Sequence, residues 1–328
     1  MLKYALIAIL AVMGSLSDAF LLPATSSRES ATALMAGKAT LDTLKRVVLT
    51  DDVTGHSATV HLHGGCVTSY KAPHEVLGIR KDAAFTGEKP IAGGLQICWP
   101  QFGPGAIQQH GFARNLPWEV SAQSDSEPEV TLVLKESAET RKIWDQAFEL
   151  LLTVRLEGDH LLTRLTAKNT GSTPWEFTSA LHSYYSVSDV AKTTIIGNDL
   201  AGRTFVDKTQ NPHVSAPLQS SEVGVTKFLE GVVPDYKGPM ALHDKAGRVR
   251  TTVEHVRGWS DYVLWAPVGN DGMGYKKFVC LESGAVSRPV SVAGGSEWWR
   301  SDLRAVKQSW NLGTPFEKTC RLRGQRKK

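Results

Sequence analysis

The chain has 328 residues, of which 41% are apolar and 21% are charged. This composition is typical of a globular protein with one large domain or two smaller ones. The formal net charge is +4, and the C-terminal tail RLRGQRKK, residues 321–328, alone carries five basic side chains. The rest of the chain therefore lacks the basic excess that would bind a nucleic acid backbone, and we expect a solvated, frayed tail.

The N-terminal residues have the pattern of a secretory signal peptide. Lys3 precedes a ten-residue apolar run, ALIAILAVMG, and Ser17 and Ala19 give a small-x-small cleavage site before Phe20. The run is too short to span a bilayer, so we predict a signal peptide over residues 1–19 and no membrane association in the mature form. The alternative is a buried N-terminal helix.

The segment that follows, FLLPATSSRESATALMAGKAT, is rich in Ser, Thr and Ala and nearly free of acidic residues. This composition is typical of a transit peptide, so we interpret residues 20–44 as transit-like or disordered. A signal peptide, an Ala-Phe junction and a transit-like segment together resemble the bipartite plastid presequences of algae with secondary plastids. We therefore predict a plastid location, with residues 1–38 removed or disordered in the mature protein; simple secretion is the alternative.

The four cysteines, Cys66, Cys98, Cys280 and Cys320, are too widely spaced for a CxxC pair. The sequence therefore predicts no zinc framework and no other metal site. The first three are flanked by apolar residues, which favours buried, small hydrophobic side chains. A disulfide bond between some of them remains open.

Alternating apolar residues dominate the chain from residue 45 onward. Alternation over residues 148–156 and 161–167, joined by Gly158-Asp159, predicts a β-hairpin. The best helix candidate is AETRKIWDQ. We predict one all-β domain over residues 45–320, a large antiparallel β-sandwich. Further strands are predicted at SATVHLHGG, EVTLVLK, WEFTSALHSYYSV, RVRTTVEH, DYVLWAP, KKFVCLE and LRAVKQSWNL.

A glycine-, proline- and aromatic-rich loop, GGLQICWPQFGPGAIQQHGFARNLPWEV, spans residues 93–120. Sugars present apolar C–H patches, which aromatic rings contact, and hydroxyls, which amide, imidazole and guanidinium groups bind. Gln109, His110, Phe112 and Arg114 supply both kinds of group within six residues. The pattern therefore indicates a sugar site, and a loop whose aromatic side chains only fill the core is the alternative.

Three ionisable residues in predicted strands are further candidates. His182 shares a strand face with Ala180 and Tyr184. Glu282 ends the apolar strand FVCL, where partial desolvation would raise the pKa of its carboxyl and allow proton exchange near neutral pH. Asp261 begins the strand DYVLW. Spacing alone does not bring these residues together, and each of them also fits a structural role.

Two motifs resemble the signature of the glucose-6-phosphate 1-epimerases, a branch of the aldose 1-epimerase (galactose mutarotase-like) superfamily. That family reads RGGxPxCWPQFG and then QHGFARxxxWE, where this chain has AGGLQICWPQFG and QHGFARNLPWE. ALHSYYSVSD and FVCLE also match, and the likeness runs over residues 45–312. The resemblance implies a large β-sandwich with the site on a concave face. It also implies catalysis by His182 and Glu282, substrate binding by Gln109, Arg114 and Asp261, and a position beside the substrate for His110.

The reaction that this resemblance implies needs two proton carriers. A hexose 6-phosphate exchanges its α and β anomers when the ring opens, C1 rotates and the ring closes again. Opening requires a proton at the ring oxygen and loss of the proton of the C1 hydroxyl, which a histidine and a glutamate with a raised pKa can transfer. We therefore expect an isomerase without a metal or organic cofactor, with a small sugar phosphate as its partner; the sequence leaves its oligomeric state open.

The chain departs from the family motif at Ala92, where the family has an arginine that helps to hold the phosphate. Gln96 also stands where proline is usual. Alanine cannot replace the charge-assisted hydrogen bonds of a guanidinium, although Arg114 remains and Lys89 and Arg80 are candidates for the same role. An epimerase for neutral aldoses and a non-catalytic carbohydrate-binding protein of the same fold are therefore the alternatives.

Overall fold

The computed structural model describes residues 37–308. Over this range the chain forms twenty strands, one short α-helix and four single-turn 3-10 helices. The strands are β1 (Gly37–Leu41), β2 (Arg46–Asp51), β3 (Ser57–His61), β4 (Cys66–Lys71), β5 (Leu95–Cys98), β6 (Glu119–Gln123), β7 (Glu129–Lys135), β8 (Phe148–Glu157), β9 (His160–Asn169), β10 (Trp175–Ser186), β11 (Thr193–Gly197), β12 (Thr204–Asp207), β13 (Val214–Pro217), β14 (Glu222–Gly224), β15 (Leu229–Val233), β16 (Met240–Asp244), β17 (Val249–Arg257), β18 (Asp261–Ala266), β19 (Phe278–Val292) and β20 (Glu297–Gln308). The helices are α1 (Ala138–Ile143) and the 3-10 turns Ala113–Asn115, Val190–Lys192, Asp271–Met273 and Tyr275–Lys277.

The strands form two antiparallel sheets that pack face to face. One sheet has eleven strands in the order β1-β2-β3-β4-β5-β10-β19-β18-β15-β12-β13, and the other has nine in the order β14-β11-β16-β17-β20-β9-β8-β7-β6. A continuous apolar core, which includes Leu49, Leu152, Leu181, Trp259 and Leu281, fills the space between them. The predicted all-β, antiparallel sandwich is therefore confirmed.

The predicted hairpin and helix both form, for the local reasons that the sequence contains. Strands β8 and β9 pair in continuous register, with every second residue of β8 buried, and Gly158 takes the left-handed φ of 57° that the turn requires. At the start of α1, Ser137 and Thr140 bond reciprocally through side chain and backbone as a capping box. The hairpin and the helix can therefore be predicted from neighbouring residues alone.

The ordered sheet begins earlier than the boundary at residue 45 that the sequence suggested. Residues Gly37–Leu41 pair with β2 over five positions, and Ala39 is buried, so the last part of the transit-like segment 20–44 belongs to the sheet. Five residues are too few for alternation to separate a short edge strand from a polar linker. The predicted signal peptide, the rest of the transit-like segment, Cys320 and the basic tail lie outside the described residues.

The cysteines within the described range behave as the sequence predicted. Cys66, Cys98 and Cys280 are buried and free. Burial raises the pKa of the Cys66 thiol to about 12, which keeps it protonated. No helix within residues 37–308 is long and apolar enough to cross a membrane.

Candidate active site

His182 and Glu282 lie opposite each other on two adjacent central strands. In the antiparallel register of β10 and β19, Leu181 faces Ser283 and Tyr184 faces Cys280, which places His182 directly across from Glu282. Nδ1 of His182 is 3.2 Å from Oε1 of Glu282. The hydrogen bonds of the sheet therefore bring together two residues that are one hundred positions apart in sequence.

Both side chains point away from the sandwich core. Because side chains alternate along a strand, Leu181 and Tyr185 enter the core while His182 and Tyr184 project from the outer face of the eleven-stranded sheet. There, Tyr184 packs in a second, smaller apolar cluster with Phe278 and Cys280. The predicted face shared by His182 and Tyr184 is confirmed, since their rings stack at 4.7 Å and an angle of 6°.

The environment of His182 favours its neutral form. Its relative exposure is 8%, and this burial holds the pKa of the imidazole well below its usual range. The ring of His110, 5.5 Å away, and the positive charge of Arg114 act in the same direction. A neutral imidazole can accept a proton from a substrate hydroxyl.

The environment of Glu282 favours its protonated form. The residue is 1% exposed, and desolvation raises the pKa of its carboxyl well above the usual range. The positive charges of Arg114 and Lys208 partly oppose this rise. These opposite pKa shifts favour a neutral imidazole beside a protonated carboxyl, which is a combination of one proton acceptor and one proton donor.

Two buried atoms of the pair lack a hydrogen-bond partner among the residues that the structure describes. These are Nδ1 of His182, although it lies 3.2 Å from Oε1 of Glu282, and Oε2 of Glu282. Buried polar atoms are nearly always satisfied, and exceptions are typical of sites that complete their hydrogen bonds with a ligand. The arrangement is chemically suited to proton transfer with a polar substrate.

The loop over residues 93–120 places His110 beside this pair through an unusual backbone. His110 and Gly111 both have left-handed φ angles, 67° and 68°. A Cβ atom at Gly111 would lie 2.1 Å from the carbonyl oxygen of Trp99, so only glycine fits there. The N–H of Gly103 donates to Nδ1 of His110 at 3.2 Å, which leaves Nε2 of the neutral ring as its N–H donor.

The aromatic side chains of the same loop divide between the core and the site. Trp99, Phe112 and Trp118 are buried in the main core, as the alternative interpretation of the loop expected. Phe102 instead packs against the ring of His110 at 5.1 Å and is only partly buried. The loop therefore contributes three aromatic side chains to the core and one, Phe102, to the site.

Arg114 and Gln96 form a second group at the site. Gln96 lies opposite His182 in the register of β5 and β10, and its Oε1 accepts a hydrogen bond from Nη1 of Arg114 at 2.8 Å. Nη2 of Arg114 donates to the backbone carbonyl of Gln109 at 3.1 Å, while the Gln109 side chain is exposed. Gln96, which departs from the family motif, thus fixes the guanidinium one strand away from His182.

Two further cations, Arg80 and Lys208, lie near the pair. Nζ of Lys208 is 5.5 Å from the centre of the Phe102 ring, and its charge reaches both His110 and Glu282. The charge of Arg80 lowers the pKa of His182. Sequence analysis missed Lys208, because a lysine in KTQNP between two short strands has no distinguishing pattern.

Asp261 shares the site face but is engaged by backbone groups. Strands β18 and β19 pair Val263 with Glu282, so Asp261 lies two positions along the same face. Its Oδ2 accepts hydrogen bonds from the N–H groups of Val286 and Ser287, both at 2.8 Å. This carboxylate thus binds β19 where its pairing with β10 is irregular, and substrate binding by Asp261 stays a prediction.

His182, Cys280 and Glu282 place three possible metal ligands within 4.8 Å of one another. The surroundings do not favour a cation there. Burial raises the pKa of the Cys280 thiol well above its usual range, and the positive charge of Arg114 acts on both His182 and Glu282. The chemistry of the trio fits proton transfer better than metal binding.

The antiparallel β-sandwich, with His182 and Glu282 paired on its outer face, is that of a carbohydrate epimerase. The structure resembles a crystal structure from Salmonella typhimurium described as a "putative mutarotase", with 29% identity, a TM-score of 0.70 and coverage of 80% of this chain and 91% of that one. A protein from Synechocystis sp. PCC 6803 shares the fold at a TM-score of 0.71 and 21% identity, over 80% of this chain and 96% of that one.

Sequence comparison places the chain within a family. The model of a family described as aldose 1-epimerase matches residues 45–301. A protein of Cenchrus ciliaris named "Putative glucose-6-phosphate 1-epimerase" is 33% identical over 282 residues, which cover 78% of this chain and 83% of that protein. A protein of the same name from Escherichia coli K12 is 31% identical over 271 residues, which cover 77% of this chain and 87% of that protein. The chain belongs to the aldose 1-epimerase family and is an isomerase.

Proposed function

We propose that this epimerase interconverts the α and β anomers of glucose 6-phosphate. The observation that carries the proposal is the His182–Glu282 pair, 3.2 Å apart and buried, with Arg80, Arg114 and Lys208 acting electrostatically on it. A buried carboxyl that can donate a proton beside an imidazole that can accept one suits reversible proton transfer, and surrounding cations suit an anionic sugar. The names of the relatives from Cenchrus ciliaris and Escherichia coli support the same substrate.

The proposed reaction uses the carboxyl proton of Glu282 and a proton-accepting ring nitrogen of His182. In the form that burial favours, Glu282 donates its proton to the ring oxygen while His182 accepts the proton of the C1 hydroxyl. The bond between C1 and the ring oxygen breaks, C1 becomes a carbonyl, and rotation about the C1–C2 bond presents its other face. Closure reverses both transfers, so that neither the sugar nor the enzyme gains or loses a proton.

His110 and Arg114 bind the sugar in this proposal. The Nε2 of His110 donates to a sugar oxygen, because its Nδ1 is already an acceptor for Gly103. Arg114 is held by Gln96 and the carbonyl of Gln109, so its guanidinium needs little ordering when it binds an anionic group.

Anomer exchange measured by NMR on the purified protein, with glucose 6-phosphate and glucose side by side, tests the proposal. We expect the specificity constant for glucose 6-phosphate to exceed that for glucose by at least tenfold, because one charge-assisted hydrogen bond contributes about 1.5–3 kcal/mol. Equal constants would favour an epimerase for neutral aldoses. Binding of both sugars without exchange would favour a non-catalytic carbohydrate-binding protein.

Position 92 provides a sharper test of the phosphate site. An antiparallel bridge pairs Ile79 with Gly93, and the N–H of Arg80 donates to the carbonyl of Ala92 at 3.0 Å, so Arg80 lies across from Ala92. Side chains at such positions are near neighbours. The side chain of Arg80 is 18% exposed, and its guanidinium bonds to Asp82. Arg80 is therefore positioned to supply the charge that Ala92 lacks.

We expect Ala92→Arg to change the preference for glucose 6-phosphate over glucose by less than threefold, because the new guanidinium would face Arg80 and repel it. Arg80→Ala should lower the preference by about ten- to a hundredfold, the effect of one charge-assisted hydrogen bond. Specificity constants for both sugars in both variants check this. A tenfold or greater gain in Ala92→Arg would mean that the phosphate site is incomplete without an arginine at position 92.

A further inference from the structure

Behind the His182–Glu282 pair, on the core side of the same strands, lies a buried ion pair. Asp302 and Arg304 on β20 are both 0% exposed, in the space between the two sheets. Nη1 and Nη2 of Arg304 donate to Oδ1 and Oδ2 of Asp302, each at 2.8 Å. The pair lies just beyond residue 301, where the family match ends.

Every donor of this guanidinium is used. Besides its two bonds to Asp302, Arg304 donates from Nε to the Tyr185 hydroxyl at 2.8 Å, from Nη1 to the Thr163 hydroxyl at 3.0 Å, and from Nη2 to the Ser183 hydroxyl at 3.1 Å. An arginine side chain has five N–H donors, and all five are satisfied here. No N–H donor of Arg304 is left without an acceptor, so the network fixes the position of the guanidinium.

The acceptor side is equally complete. Oδ1 of Asp302 accepts from the hydroxyl of Thr163 as well as from Arg304. Oδ2 accepts from the hydroxyl of Ser283 at 2.6 Å as well as from Arg304. Two hydrogen bonds to each carboxylate oxygen satisfy the group at zero exposure.

This network contacts the two strands of the site at the residues next to the proton carriers. Ser183 follows His182 on β10, and Ser283 follows Glu282 on β19. Because side chains alternate, both serines enter the core while their neighbours face the substrate side. One ion pair on the opposite sheet thus contacts both strands from behind, through Ser183 and Ser283, which lie on either side of the level of His182 and Glu282.

Stability alone does not account for such a pair. Desolvation of two charges costs about as much as their attraction returns, and well-packed apolar residues are often as stable. A closed network does, however, fix the relative positions of the strands that it joins. Proton transfer is sensitive to such positions, since a displacement of about 1 Å can reduce rate roughly a hundredfold.

We propose that Asp302 and Arg304 are positioning residues for catalysis, which hold His182 and Glu282 in register through the hydroxyls of Ser183 and Ser283. The inference rests on the proposed function, because it assumes that His182 and Glu282 carry the protons. A positioning role and a purely structural role predict different results. If Asp302 and Arg304 are positioning residues, loosening the network should slow the chemical step with little effect on substrate binding.

The test uses Ser183→Ala and Ser283→Ala, each of which removes one hydroxyl and leaves the ion pair in place. We expect kcat for anomer exchange to fall about tenfold in each variant, with KM within twofold of the parent. Threonine at either position keeps the hydroxyl and should restore most of the rate. Arg304→Lys keeps the positive charge but loses the planar group with five N–H donors, so we expect kcat to fall about a hundredfold. If this variant does not fold, the two serine variants decide the test.

Ser179→Ala is the matched control. Ser179 lies on the same strand, β10, and is fully buried, but its hydroxyl has no hydrogen-bond partner in the described part of the chain. We expect its kcat to stay within twofold of the parent. Parent rates in Ser183→Ala and Ser283→Ala, or an equal loss in Ser179→Ala, would overturn the inference. A parent protein that exchanges no anomers would instead overturn the proposed function, and the inference with it.

Discussion

Glu282→Gln is expected to reduce anomer exchange by about 10²–10⁴-fold, the usual contribution of a positioned acid–base group. The amide keeps the shape of the side chain and can still form hydrogen bonds, but it cannot gain or lose a proton at the pH of the reaction. Because Glu282 is 1% exposed and burial raises the pKa of its carboxyl, which favours the neutral form, the neutral amide should fit without a large cost in stability. Substrate should therefore bind almost as well as to the parent.

NMR exchange rates and the dissociation constant for glucose 6-phosphate, measured on the same preparation, separate these two effects. Glu176→Gln, at an exposed position on β10, is the control for a glutamate-to-glutamine change that leaves the site intact. Exchange at the parent rate in Glu282→Gln would remove Glu282 from the mechanism. Loss of binding together with exchange would make it a binding residue rather than a proton carrier.

His182→Asn is expected to produce a loss of the same order, 10²–10⁴-fold, for the complementary reason. Asparagine can replace the hydrogen bonds of one ring nitrogen, but it cannot accept a proton. In the parent, we expect kcat/KM to fall at low pH as His182 becomes protonated and at high pH as Glu282 ionises. Burial lowers the pKa of His182 and raises that of Glu282, so both limits move outward and the active range is broad.

The pH profile of the parent and the residual rate of His182→Asn check this prediction. His110→Asn provides the comparison within the site: His110 lies 5.5 Å from His182 and has no assigned proton transfer, so its loss should act mainly on KM. A larger loss of kcat in His110→Asn than in His182→Asn would exchange the roles of the two histidines. A profile that is flat on both sides would mean that the chemical step does not limit the rate.

Local signals predicted the elements whose structure depends on neighbouring residues. The β8–β9 hairpin follows from alternation and Gly158, and α1 begins at a capping box. By contrast, strands β11 to β16 contain three to five residues each and are interrupted by turns, so alternation has too few positions to indicate them. Strand β19 continues to Val292, well past the predicted segment KKFVCLE, because its later residues alternate weakly around Ser and Pro.

The candidate site illustrates the same limit at longer range. Residue type and strand context made His182 and Glu282 candidates, but only the resemblance to a family paired them, since the pairing depends on the register of β10 with β19. Arg304 lies in a predicted strand, LRAVKQ, where a basic residue would ordinarily be placed on the solvent side. Its burial depends on Asp302, Thr163 and Tyr185, whose positions no local pattern contains.

The two proposed proton carriers lie on strands, whereas the positive charges around them come from connecting segments. His182 and Glu282 are fixed by β10 and β19, while Arg80 lies between β4 and β5, Arg114 in a single 3-10 turn and Lys208 just after β12. If the proposed roles hold, mutations in these connections should alter the charge of the sugar that the enzyme prefers without moving His182 or Glu282. We therefore expect that exchange of these loops, on an unchanged sheet, would shift the preference between a neutral sugar and a sugar phosphate.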